Sequence, residues 1–357
     1  MSHLFSELKV RDTIIRNRVV MPPMVCFGWT GDEGLVSERH IRHYEARAKG
    51  GVGLIVIEAT CVSKDGRLTN TQLGLWTDEQ IDGFREIADR CHKHGAKVIV
   101  QLHHAGFNVP KIVSEKLFAP SEYVEGVKSA GAMTIEEIHE LQQDFTEAAI
   151  RAEKAGFDGI ELHGAHGYLL CQFASPIRNR RHDAYGGSLE NRMRCAVEII
   201  DKIRGKVSED FIIAYRMGGN EPTLEEGIGI AKILESKGID ILHVSAGISK
   251  GELPSIPEGF DYNWIVYCGI EIKKQVNIPV IVVNDIRTPE RAAFLVENQL
   301  SDLVAIGKPL LVDPDWAEKA RLGLEITACL KCIRCQWFKS GDLCPVLNKA
   351  PMEHVNE

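Results

Sequence analysis

Pro279-Val280-Ile281-Val282-Val283 is an apolar run rich in β-branched residues, and shortly after it Thr288-Pro289-Glu290 opens a segment of helical periodicity reaching residue 298. The run has the character of a parallel strand buried on both faces. Thr-Pro-Glu is a helix start: the hydroxyl can accept from an orphan N–H, proline presets φ, and the carboxylate faces the positive end of the helix dipole. This unit recurs along the chain. Strand-like runs over 18–21, 52–59, 97–102, 159–162, 211–216, 239–245 and 302–307 alternate with helix-like segments over 37–49, 78–94, 135–155, 189–207, 223–237, 262–276 and 314–322. Parallel strands need crossover connections, so eight such pairs favour an α/β chain folded as a (β/α)8 TIM barrel over an open doubly wound sheet. The stretches 4–10 and 14–18 read as a small hairpin closing the barrel bottom. Chemistry in such barrels sits at the C-terminal strand ends, which makes the polar residues just beyond each run the candidates.

The 357 residues exceed the about 250 of a simple barrel, which predicts a barrel over 1–322 and a cysteine-rich, metal-binding extension over 323–357. Hydrophobic content of 44% and charged content of 26% are ordinary for a globular enzyme. A net charge of -8 without long basic runs argues against nucleic acid or an anionic membrane as partner and leaves small-molecule chemistry. No apolar stretch approaches about 18 residues and the N-terminus lacks the pattern of a leader, which predicts a cytoplasmic protein.

After the fourth run comes His163-Gly164-Ala165-His166-Gly167-Tyr168, and then Ser175-Pro176-Ile177-Arg178-Asn179-Arg180 leading to Tyr185-Gly186-Gly187-Ser188. Two histidines three apart converge only where the chain leaves the extended state, and Gly164 and Gly167 permit that turn. Convergent imidazoles can grip an oxygen; the same pair can also bind a metal or sit satisfied in a core. This stretch resembles the signature of the old yellow enzyme family, the NADH:flavin oxidoreductases. The resemblance extends from Asn17-Arg18-Val19-Val20-Met21-Pro22-Pro23-Met24 to Gly307-Lys308-Pro309-Leu310. It implies that His163 and His166 hydrogen-bond the carbonyl oxygen of an enone or enoyl-type substrate, stabilising the enolate charge, and that Tyr168 protonates the α-carbon.

The same resemblance implies FMN as cofactor and NAD(P)H as reductant. Pro22, Pro23, Met24, Val25 and Ala59 would contact the isoalloxazine ring, Gln101 would bond its pyrimidine edge, and Arg216 would face its N1 side as a fixed cation. The phosphate would sit beyond strands seven and eight, at Asn284, Asp285, Gly307 and Lys308. Relatives commonly carry glycines at the first pair and Gly-Arg at the second. Asn tolerates left-handed backbone and Lys keeps the cation, whereas Asp285 must point away from a phosphate. Val25 stands where relatives often have Thr or Cys, and Phe27, in the substrate pocket, where some have Tyr.

Four of the ten cysteines, Cys329, Cys332, Cys335 and Cys344, cluster near the C-terminus. Their spacing suits a 4Fe-4S iron–sulfur cluster, and four thiolates also hold tetrahedral zinc. The pattern is similar to the tail of the 2,4-dienoyl-CoA reductase and trimethylamine dehydrogenase branch, although the gaps there are longer. A cluster would admit an electron-donor protein as partner. The function expected is therefore an ene-reductase, with two alternatives: a flavin-dependent dehydrogenase or demethylase, and an electron-transfer subunit. The resemblance also implies a homo-oligomer.

Overall fold

The computed structural model describes residues 3–248 and 251–348. Among the described residues twelve strands and ten α-helices follow in chain order. The hairpin β1 (Leu8–Val10) and β2 (Thr13–Ile15) comes first, then β3 (Val19–Met21), α1 (Glu38–Lys49), β4 (Leu54–Cys61), α2 (Ile81–Lys93) and β5 (Lys97–His103). A second hairpin, β6 (Tyr123–Glu125) and β7 (Lys128–Ala130), precedes α3 (Ile135–Lys154), β8 (Gly159–Gly164), α4 (Leu169–Ala174), α5 (Leu189–Arg204), β9 (Ile212–Gly218) and α6 (Leu224–Ser236). The chain then forms β10 (Ile241–Ser245), α7 (Trp264–Lys273), β11 (Val280–Val283), α8 (Pro289–Glu297), β12 (Leu303–Ala305), α9 (Lys308–Val312) and α10 (Trp316–Leu322).

Eight strands close into a parallel barrel in the order β3-β4-β5-β8-β9-β10-β11-β12, and β12 returns to β3 through Val304 opposite Val19. The predicted TIM barrel is the observed fold. Its helices start where side chains can cap them: the hydroxyls of Thr134, Ser188, Thr223 and Thr288 each accept a backbone N–H of the first turn.

Because side chains alternate across a strand, each barrel strand faces two ways. On β5, Val98, Val100 and Leu102 pack outward into the large core beneath the helices, while Ile99 faces inward with Val20, Leu54, Ile212, Ile241, Ile281 and Leu303. Val10 and Ile15 of the first hairpin belong to this inner cluster, so the hairpin plugs the barrel bottom. Further along the strands the inward positions become polar. Ile99 is followed by Gln101 and His103, Ala214 by Arg216, and Ile241 by His243 and Ser245. Charged and polar side chains here are taken out of water, which is tolerated only where they find partners. Gln101 Nε2 donates to Glu161 Oε1 at 2.7 Å, and His243 Nδ1 lies 2.7 Å from Glu161 Oε2. This polar layer is the floor on which the site is built.

Among the described residues no helix is long and apolar enough to cross a membrane.

Candidate active site

A cavity of about 790 Å3 opens at the C-terminal ends of the barrel strands. Its walls contain Pro22, Pro23, Met24, Val25, Phe27, Ala59, Gln101, His163, His166, Tyr168, Arg216, Asn284, Asp285, Gly307 and Lys308. Fifteen candidates scattered over nearly three hundred residues of sequence thus meet at one place. Cys26, between Val25 and Phe27, turns away: its N–H donates to Glu58 at 2.7 Å and its side chain packs with Leu311 and Trp337.

The histidine pair is positioned by the backbone after β8. His166 and Gly167 adopt consecutive left-handed conformations, φ 58° and 71°, which fold the chain back on itself. Gly164 has a different use from the turn expected of it: a Cβ there would lie 2.2 Å from the ring of Tyr215, so it is a point of close packing. The turn is held by His166 N–H donating to Ala246 O at 3.0 Å, and by Asn108 and Gln172 amides on Gly167 O at 3.0 and 2.8 Å. We expect Gly164→Ala to destabilise the fold by about 1–3 kcal/mol, because a rigid buried ring must move to admit the methyl group; a urea midpoint equal to the parent's would refute that packing role.

His163 Nδ1 accepts the Ala165 N–H at 3.4 Å, which assigns its proton to Nε2. That nitrogen is 3.4 Å from His166 Nδ1, and His166 Nε2 is 2.7 Å from Ser245 Oγ. Arg216 Nη2 donates to the same hydroxyl at 3.3 Å. Burial, and then the neighbouring imidazole and guanidinium charges, push the pKa of both histidines well below 6.5, so each is a neutral N–H donor at pH 7. Tyr168 stands at the start of α4 with its ring edge-to-face on His163 at 4.9 Å and on His103 at 4.5 Å. Burial raises its phenol pKa, with Arg216 opposing, so the phenol keeps its proton.

The walls contain donors that the protein leaves unused. Arg216 Nε and Arg287 Nη1 are buried without hydrogen-bond partners. Lys308 makes no ion pair among the described residues. Buried donors of this kind are expensive unless a ligand accepts from them. A planar, acceptor-rich molecule with an anionic tail, such as FMN, fits this set: apolar Pro22 to Val25 on one side, Gln101 and Arg216 on the floor, cations at the far end. Reading the sequence missed other contributors, among them Ser245, Arg287 and Phe338. Ser245 was legible, being the inward position two after His243. Arg287 follows Asp285 by two in the loop after the seventh strand. Phe338 also lines the cavity and comes from beyond the barrel, where no strand periodicity could point to it.

The cysteine reading is corrected. Cys329, Cys332, Cys335 and Cys344 border one narrow cleft, but among the described residues no group of three or more His, Cys, Asp or Glu is placed to hold a metal ion. Cys335 and Cys344 instead pack as small apolar side chains against the cluster of Cys26, Leu311 and Trp337. The 4Fe-4S cluster, the zinc alternative and the likeness to the dienoyl-CoA reductase and trimethylamine dehydrogenase tail, which rested on these thiols, do not stand. The last part of the expected extension, 349–357, lies outside the described residues.

Comparison with known proteins agrees with the barrel. The chain is 46% identical over 344 residues to an NADH oxidase of Thermoanaerobacter brockii, covering 92% of this chain and 52% of that protein. It is 39% identical over 331 residues to an NADPH dehydrogenase of Halalkalibacterium halodurans, covering 91% and 95%. Among solved structures, a 2-naphthoyl-CoA reductase in complex with 2-naphthoyl-CoA superposes with a TM-score of 0.86 at 26% identity over 93% of this chain and 54% of that one. The chain thus spans about half the length of the first of these relatives. Residues 3–326 match the NADH:flavin oxidoreductase / NADH oxidase family, and the chain belongs to that family.

Proposed function

We propose that this chain is an FMN-dependent ene-reductase, reducing the activated C=C of an α,β-unsaturated carbonyl compound with NAD(P)H as the source of reducing equivalents. The observation that carries the reading is the meeting of His163, His166, Tyr168 and Arg216 in one cavity whose far end carries Lys308 and Arg287, the latter paired with Asp285. FMN bound there supplies the hydride. Gln101, fixed by Glu161, and Arg216 on the floor would orient the pyrimidine edge, and the guanidinium favours a negative charge beside it.

The substrate side is the work of the ring cluster. His163 Nε2 lies 3.4 Å from His166 Nδ1, and turning that N–H outward offers it to a carbonyl oxygen. Ser245 and Arg216 hold His166 in place from behind. Neutral donors suit this task, since a hydrogen bond that strengthens as charge builds on the oxygen stabilises the transition state more than the ground state. Tyr168, protonated and beside His163, then gives its proton to the carbon next to the carbonyl. The NADH oxidase and NADPH dehydrogenase names of the relatives support a pyridine nucleotide as reductant, and the reductase name of the structural relative supports an enoyl-type substrate. Within this reading 1–322 is the flavin-binding barrel and 323–357 an appendage that lends Phe338 to the cavity. The oxidative and relay readings drew on the cysteine site, and that support is gone.

The test is anaerobic turnover of a cyclic enone with NADH and with NADPH. His163→Ala is expected to lower kcat by about 10²–10³-fold, the usual loss for one oxyanion donor. No enone turnover by the parent chain, or an unchanged rate in the variant, would contradict the proposal.

A further inference from the structure

His103 is the last residue of β5, two after Gln101, and the chemistry described above gives it no task. Its side chain is fully buried, yet neither ring nitrogen has a hydrogen-bond partner. Burial lowers its pKa to about 3, so at pH 7 the ring is neutral and carries one N–H and one lone pair. Both are out of water, and leaving them unpaired is a standing cost that leucine or phenylalanine at this place would not carry. What the ring meets is aromatic: Tyr168 edge-to-face at 4.5 Å, and His163 at 5.3 Å. This contact is closer than those of Tyr168 with His163, at 4.9 Å, and with His166, at 6.3 Å. The strand end is pinned, because Val62 N–H donates to His103 O at 3.1 Å. Tyr168 lines the cavity and His103 lies beneath it, so His103 meets the reaction through its neighbour.

We infer that His103 is a positioning residue for proton donation by Tyr168, holding the phenol ring from its buried side and turning its unused N–H toward the charge that builds on the phenol oxygen. The inference rests on the ene-reductase reading above. In the protonation step the Tyr168 O–H bond breaks and its electron pair stays on the oxygen, while the enolate's electron pair forms the new C–H bond at the α-carbon. The His103 N–H bond stays intact throughout, and a proton from water restores the phenol. His163 cannot serve both oxygens, since its Nε2 proton is committed to the substrate carbonyl in the same step. His103 has no such commitment. A neutral donor there adds little while Tyr168 is protonated and most as negative charge develops, so it favours the transition state over the ground state.

A double-mutant cycle, read by stopped flow in the two half-reactions of the flavin-loaded full chain, distinguishes this role from packing. His103→Phe keeps an aromatic ring and loses both nitrogens. It is expected to slow reoxidation by a cyclic enone roughly 10–100-fold, the worth of one hydrogen bond to a charged group, and to leave reduction by NAD(P)H within about twofold. His103→Leu, smaller than the parent ring, should give the same pattern. In a Tyr168→Phe background either change should alter reoxidation by less than about twofold, because no phenol oxygen remains to be supported. His103→Gln, which restores an N–H, should recover part of the loss. Flavin affinity within about twofold of the parent, titrated by fluorescence quenching, reports that the cavity is intact. Reoxidation at the parent's rate in both His103→Phe and His103→Leu, equal slowing with and without the Tyr168 hydroxyl, or equal slowing of both halves overturns the inference while leaving the ene-reductase reading intact. A parent chain that turns over no enone overturns both.

Discussion

Replacing Tyr168 by Phe is expected to lower enone turnover by about 10²–10⁴-fold, the range for removal of a positioned general acid. The substitution deletes one oxygen and keeps the ring, so the edge-to-face contacts with His103 and His163 survive and the cavity keeps its shape. Oxidation of NAD(P)H in the first half of the cycle needs no acid from the protein and should stay within a few fold of the parent. Stopped-flow traces separate the halves: reduction at the parent's rate followed by slow reoxidation by enone is the expected pattern. Equal rates in both halves would remove Tyr168 from its role.

Acid is expected to unfold this protein more readily than its modest net charge suggests. Seven histidines, His40, His43, His103, His104, His163, His166 and His243, have pKa values pushed down by burial, to about 4 for His40, about 3 for His103 and His104, well below 6.5 for His43, His163 and His166, and below 6.5 for His243, where Glu161 opposes the shift. Unfolded, each takes a proton near pH 6.5; folded, each resists until lower. Between those limits the unfolded chain holds more protons, so stability falls as pH falls, by at most about 2 kcal/mol per histidine at pH 5. Three carboxyl groups work the other way. Burial raises Glu58 to about 7, Asp144 to about 6, and Glu221 above 4.5, so the folded chain takes up these protons first on acidification and gains stability. Seven against three leaves a net loss, which matters in a protein whose typical stability is only about 5–15 kcal/mol. The urea midpoint should drop steeply from pH 7 to pH 5, and a flat profile over that window would contradict the burial of these neutral rings.

The strands and helices of the barrel were legible because their apolar residues repeat at the periods that a buried strand and an amphipathic helix require. Each of the eight predicted strand runs overlaps an observed strand, with ends displaced by a few residues, as at β4, where 52–59 becomes Leu54–Cys61. Short elements escaped. The helices α4 and α9, at Leu169–Ala174 and Lys308–Val312, are too brief for a period to show, and the hairpin of Tyr123–Glu125 with Lys128–Ala130 lies outside the barrel pattern. The cavity residues were legible for a separate reason. Closure of the barrel gathers every C-terminal strand end at one rim, so residues from Pro22 to Lys308 become neighbours whatever their spacing in the chain. The cysteine tail misled because a spacing of thiols along irregular backbone does not say whether the sulfurs converge, and Trp337 draws two of them into an apolar cluster. Phe338, in the same segment, reaches the cavity through tertiary packing alone.

Anaerobic visible absorption of the purified chain, followed through addition of NAD(P)H and then of a cyclic enone, bears most directly on the idea that this rim holds a redox-active flavin facing an activated alkene. Flavin bands that bleach with the nucleotide and return with the enone, one equivalent for one, are the result expected. A colourless protein that cannot be reconstituted with FMN, or bands that bleach and are never restored by an enone, would contradict it.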